Sequence, residues 1–178
     1  MDLQRLQSQL AQDNVALPPV EDWHPAYCGE MPLEIRHNGS WHYQGSPIGR
    51  IALVKLFSRV LKREQDNYFL VTPVEKLGIQ VADVPFLVTA WHQINNQLVF
   101  TTNVDESYPV DFSHPVELMV DRVSGERLPY MLVRRNLYAR LHQNVFYQLV
   151  ELGKPIQQEG QNHLIVQSGD YRFSLGTL

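Results

Sequence analysis

Leu33-Glu34-Ile35-Arg36-His37-Asn38-Gly39-Ser40-Trp41-His42-Tyr43-Gln44 reads as a β-hairpin, and its loop length decides which face each strand buries. A two-residue Asn38-Gly39 turn sets Ile35 opposite His42 and mixes apolar with polar. A three-residue loop of His37-Asn38-Gly39 sets Ile35 opposite Trp41 and Leu33 opposite Tyr43. The second register gives one apolar face and predicts left-handed backbone at Gly39.

Downstream, Ser46 is placed to cap a helix with Pro47 at its first position. That helix carries Leu53, Leu56, Phe57 and Val60 along one face, with Lys62 and Arg63 at its negative end. Residues 68–72 and 77–81 are β-rich. Residues 86–94 and 98–103 flank Asn95-Asn96, which tolerate left-handed backbone, so a second hairpin is expected. Residues 105–115 read as irregular, with Pro109 and Pro115. Residues 116–121 and 128–133 form a hairpin across Ser124-Gly125.

A second helix is predicted from about Asn136, with Tyr138, Leu141, Val145, Leu149 and Leu152 on one side and Gly153 and Pro155 as its stop. Residues 164–167 and 171–175 close a last hairpin at Gly169-Asp170. Upstream, Leu3, Leu6 and Leu10 make one stripe on a short helix that must dock on its own body or on a partner. Pro18-Pro19 ends it, and residues 14–30 read as loop.

Both halves follow the order strand, strand, helix, strand, strand. The pattern predicts an α+β protein of two related lobes, each an antiparallel sheet with one helix. The expected divisions are an N-terminal helical arm at 1–13, a lobe at 14–82 and a lobe at 83–178.

At 178 residues, 44% apolar and 19% charged, the chain has the composition of a soluble globule. A net charge of −4 argues against binding a nucleic-acid backbone. A single cysteine excludes an intrachain disulfide and suits a reducing cytosol. The N-terminus lacks the pattern of a signal peptide and no apolar run is long enough to span a bilayer, so a cytoplasmic location is expected.

No catalytic motif stands out. The seven histidines are dispersed, without His-x-x-x-His, His-Glu-x-x-His or Cys-x-x-Cys, so no metal site is expected. There is no Walker loop or Gly-x-Gly-x-x-Gly, and no cofactor is expected. Cys28 lacks a protease-like context and reads as a structural thiol. The pairs Glu21-Asp22 and Asp105-Glu106 have the residue types for acid–base chemistry, though acidic pairs in loops are usually just solvated. Helix N-termini favour anions, and arginines lie near both predicted starts: Arg134 and Arg135 at the second, Arg50 at the first. Trp41, Tyr43 or Tyr138 would then stack a base. The alternative use of these arginines is pairing with Asp or Glu across a domain interface.

The run Cys28-Gly29, Asn38-Gly39-Ser40-Trp41, Gly45-Ser46-Pro47-Ile48 and Leu53-Val54-Lys55-Leu56-Phe57 resembles the bacterial domain-of-unknown-function family 1285. Residues 68–75, Val84-Pro85-Phe86, residues 132–137 and residues 145–149 continue the likeness. The resemblance implies a duplicated α+β core with a pleckstrin-homology-like C-terminal part. It also implies a ligand site between the domains, of nucleotide-like chemistry, and a role in signalling. It brings no reaction and no catalytic residues.

Three functional classes follow. The first is a non-enzymatic module holding a small anionic, nucleotide-like ligand. The second is a protein–protein scaffold using the N-terminal helix, by which the chain would also form a homo-oligomer. The third is a hydrolase or transferase using an acidic pair or Cys28. Converging arginines in a pocket favour the first, and a carboxylate or thiol beside His in a cleft favours the third.

Overall fold

The computed structural model describes residues 2–10 and 16–178. The chain divides into two compact units, Met1–Ala82 and Asp83–Leu178. Among the described residues, two six-stranded sheets, one in each unit and each unit with its own helix, make an α+β protein of two related lobes.

The first unit contains α1 (Leu3–Leu10), a 3-10 turn (Val20–Asp22), β1 (Tyr27–Ile35), β2 (Trp41–Tyr43), β3 (Ser46–Pro47), α2 (Ile51–Ser58), β4 (Leu61–Glu64), β5 (Asn67–Val71) and β6 (Lys76–Val81). Its sheet order is β3-β2-β1-β6-β5-β4. The first hairpin has the three-residue loop, with Leu33 opposite Tyr43 and Ile35 opposite Trp41. Gly39 sits at φ +83°. Gln44 N–H donates to the Pro32 carbonyl at 2.8 Å. β2 stops at Tyr43 because Gln44 already takes left-handed backbone in the turn to β3.

Sequence expectations change here. Ser46 does not cap a helix. Gln44 and Gly45 both take positive φ, +51° and +81°, and the tight turn they make pairs Ser46 with Tyr43 as β3. The helix starts later, at Ile51, with Arg50 as an N-cap that makes no side-chain bond. It is also shorter, so Lys62 and Arg63 lie in β4 and not at a helix end. Part of the expected loop at 14–30 is the start of β1, while residues 14 and 15 lie outside the described residues, as do 11–13 of the expected arm. In α1, Leu6 is fully buried and the helix packs against α2 of the same unit.

The second unit contains β7 (Phe86–Ile94), β8 (Gln97–Thr102), β9 (Ser107–Pro109), β10 (Val116–Val120), β11 (Arg127–Arg134), β12 (Leu137–Leu141), α3 (Gln143–Val150), β13 (Lys154–Gln158), β14 (Gln161–Ser168) and β15 (Tyr171–Thr177). β7 to β12 form the six-stranded sheet in the order β10-β11-β12-β7-β8-β9, and β13-β14-β15 form a separate three-stranded sheet. Asn95 and Asn96 take φ of +49° and +67°, so the β7–β8 turn is left-handed as expected.

The second helix is corrected as well. Leu137, Ala139 and Leu141 are buried at period two, and the segment is β12, not the first turn of a helix. Arg135 at φ +53° makes the turn into it. The helix begins at Gln143, where His142 Nδ1 accepts a bond from Asn144 N–H at 3.2 Å as the N-cap.

The sheets are antiparallel except for one central pair in each: β1 with β6, and β7 with β12. Each sheet is thus two three-stranded meanders, the first strand of one beside the last strand of the other. The strand order is the same in both units. The helix position is not: α2 lies between the two meanders, α3 after both.

Side chains stitch the second unit together. The Ser168 hydroxyl accepts from Leu98 N–H at 2.9 Å and donates to the Val110 carbonyl at 2.6 Å. The Tyr171 hydroxyl accepts from Val116 N–H at 2.8 Å and donates to its carbonyl at 3.3 Å, on the outer strand β10. Buried Asp83 accepts from Arg122 N–H at 3.0 Å, Tyr130 OH at 2.7 Å and Arg140 Nη1 at 3.0 Å. Burial first, then the bond to Asp83, pushes the Tyr130 phenol far above its usual range.

Two expectations follow. Gly39→Ala forces a Cβ onto left-handed backbone and should cost on the order of 1 kcal/mol in chemical denaturation. Asp83→Ala removes the carboxylate that Arg140 and Tyr130 share in the interior and should cost about 3–5 kcal/mol, whereas Tyr130→Phe should cost about 1–2 kcal/mol by the same measurement.

Candidate functional site

Arg134 ends β11 in the second unit, with a side chain only 8% exposed. Its guanidinium lies 5.0 Å from the Phe86 ring centre. Nη1 donates to the Glu106 carboxylate and, at 3.1 Å, to the Tyr108 hydroxyl. Tyr108 in turn donates to Glu106 at 2.6 Å. Burial, then this bond to Glu106, pushes the Tyr108 phenol up to about 12. The neighbouring turn closes on Asp111, whose Oδ1 accepts from Ser113 N–H and His114 N–H at 2.9 Å and faces His114 Nδ1 at 3.2 Å. The His114 ring lies 5.2 Å from that of Tyr108.

This arrangement differs from the expected one. Arg134 and Arg135 stand at a hairpin turn, with all of β12 between them and α3, so no helix dipole adds to their charge. The Arg134 cation is matched by Glu106. Tyr138 is half-buried on β12. In the first unit Arg50 does stand at the start of α2, exposed. Trp41 is 2% exposed beside Ile35 in the core, so its ring cannot stack on an entering base. Tyr43 is half-buried at the end of β2.

The residues sequence reasoning missed are on the outer face of the first unit's sheet. With residues 61–64 read as a strand, alternation puts Leu61 inside and Lys62 and Glu64 on the opposite face. The Lys62 side chain is 7% exposed, and its Nζ donates to the Trp23 carbonyl at 3.1 Å and stands 3.8 Å from Glu64. Lys76 passes over the Phe69 ring, 4.4 Å from its centre, and meets Glu64 Oε2 at 2.5 Å. The hydrogen bond from Lys76 holds the Glu64 carboxyl below its usual range. Burial opposes that shift, and the charges of Lys76, Lys62 and His24 add to it. Beyond Phe69, Tyr27 meets its ring edge-on at 6.2 Å and donates to Glu30 at 2.6 Å. The only sequence signal for this patch was the period-two reading of 61–64, which the helix assignment hid.

Two arrangements bear on catalysis. The Ser40 hydroxyl lies 2.6 Å from Asn38 Oδ1 and 3.0 Å from His42 Nε2. Cys28 is exposed and free, its Sγ 3.2 Å from the Ala26 carbonyl. Of the acidic pairs, Glu106 is held by Arg134 and Tyr108, while Glu21 and Asp22 sit in the 3-10 turn.

The sequence matches the N-terminal domain of DUF1285, a domain of unknown function, over residues 18–84. It matches the C-terminal domain of DUF1285, a protein of unknown function, over residues 85–175. The crystal structure of a DUF1285 family protein from Silicibacter pomeroyi DSS-3 is similar at a TM-score of 0.85 and 37% identity, over 99% of this chain and 96% of that one. A second, from Shewanella baltica OS155, is similar at a TM-score of 0.56 and 28% identity, over 68% of this chain and 91% of that one. No curated protein matches the chain. No helix among the described residues is long and apolar enough to cross a membrane.

Tyr108 gives an alkaline signature. Its folded pKa is raised from 10.0 to about 12. Its contribution to stability is therefore complete below pH 10.0 and is lost as pH climbs to about 12. Denaturation midpoints should fall across that window, and Tyr108→Phe should show a shallower fall.

Proposed function

We propose, from the premise that this chain belongs to the DUF1285 family, that it is a non-catalytic module that binds a small anionic ligand, nucleotide-like molecules among them. The observation that carries the reading is the convergence of two anchored ammonium groups on Glu64. Lys62 and Lys76 converge on one carboxylate, and His24 adds to them when protonated. Glu30, held by Tyr27 beside Phe69, is a second carboxylate on this face, turned toward the tyrosine. Arg134 is a weaker candidate for the same task because Glu106 already balances it.

Both lysines are held in place, one by a backbone carbonyl and one by an aromatic face. Little side-chain entropy remains to be lost when an anion arrives. Phe69 and the exposed ring of Tyr27 supply flat apolar surface beside the charges. The scaffold reading loses its main feature, since Leu6 of α1 is buried within its own unit. Reversible occupancy of such a site is the form a signalling role would take. The free thiol of Cys28 suits a cytoplasmic setting.

Thermal shift and calorimetric titration with pyrophosphate and with ATP test the reading, with uridine as the uncharged control. Pyrophosphate and ATP should raise the melting temperature and uridine should not. A ligand at a hundredfold its Kd stabilises by about 2.7 kcal/mol. Lys62→Met/Lys76→Met keeps the apolar stems and should weaken binding at least tenfold. Full affinity in that folded variant, or no binding of either anion to the wild type, would overturn the proposal.

A further inference from the structure

We infer that Glu64 is a built-in occupant of the Lys62–Lys76 anion site, a tethered carboxylate that an incoming anion must displace. This rests on the reading of the lysine patch as a ligand site and adds how that site is regulated. The three side chains differ in how firmly they are held. Lys62 is anchored by the Trp23 carbonyl and is 7% exposed, and Lys76 lies on Phe69 and is 19% exposed. Glu64 is 41% exposed and is the last residue of β4, directly before the turn at 65–66. If the carboxylate swings into solvent, the ammonium groups keep those two supports and stay in place.

The exchange is also favourable in charge. Glu64 brings one negative charge to two ammonium groups. A pyrophosphate brings more charge and more acceptor oxygens to the same two donors. A partly exposed ion pair is weak in water, so its loss is a small barrier to a ligand of higher charge. In the empty state Glu64 screens the lysines from one another and from weak monovalent anions. The site should therefore prefer multiply charged ligands, and its affinity should be set by the strength of the internal pair.

The test is calorimetric titration of pyrophosphate, at one low ionic strength, into wild type, Glu64→Gln, Glu64→Ser and Lys62→Met/Lys76→Met. Gln keeps an acceptor for Lys76 but no charge, and Ser removes the reach. Melting curves without ligand confirm that each variant is folded. Both Glu64 variants should bind pyrophosphate about two- to fivefold more tightly than wild type, and should gain measurable affinity for acetate. Wild-type binding that is lost in the double lysine variant but unchanged or weakened in both Glu64 variants would overturn this inference and leave the site standing. No binding to wild type or to either Glu64 variant would overturn both.

Discussion

The parallel pair at the centre of each sheet is the constraint on which the rest of the fold depends. β1 lies beside β6, and β7 beside β12. Adjacent strands in a meander pair through short turns, but a parallel pair cannot be closed that way. Each pair therefore joins the first strand of one meander to the last strand of the other. Where β7 and β12 pair in the second unit, both faces are buried. Phe86, Leu87 and Val88 are buried in succession, as are Ala139, Arg140 and Leu141. Strands of this kind lose the alternation of half-exposed strands. Arg140, interior on such a strand, is paired with the Asp83 carboxylate.

Local pairing was legible in the residues, and long-range pairing was not. The parity of Leu33, Ile35, Trp41 and Tyr43 gave the correct register because one face had to be apolar. Asn95-Asn96 and Ser124-Gly125 marked their turns through residues that favour particular backbone regions. The failures share a cause. Ser46-Pro47 is a good helix start by local chemistry, but Gln44-Gly45 makes a tighter turn and claims Ser46 for a strand. Leu137, Ala139 and Leu141 satisfy a period of two, while Tyr138, Leu141 and Val145 satisfy a helical spacing across an element boundary. The neighbouring strands β11 and β7 decide between them. The central parallel pairs carried no local signal, so sheets expected to be antiparallel throughout are mixed.

The same limit applied to the site. Arginines were sought at helix starts, and one start was misplaced by a whole strand. Lys62 was assigned to a helix end, where a cation is ordinary, and so passed unnoticed. On a strand it faces the same way as Glu64 and Phe69, and the three become neighbours of Lys76. Which charges converge depends on the pleat, and the pleat depends on where the helix stops.

Tyr171 holds both backbone groups of Val116 with one hydroxyl. β10 is an outer strand of its sheet, and an outer strand offers its unpaired amides to any extended chain it meets. A phenol reaching from β15 occupies the first of those amides and its carbonyl, so a stranger cannot begin pairing at that end. The aromatic ring beneath it, Phe173, stacks on Tyr171 at 6.2 Å and helps to fix its aim. The three-stranded sheet that follows α3 thereby acts as a guard against self-templated growth of the sheet, a form of colloidal protection drawn from a single side chain.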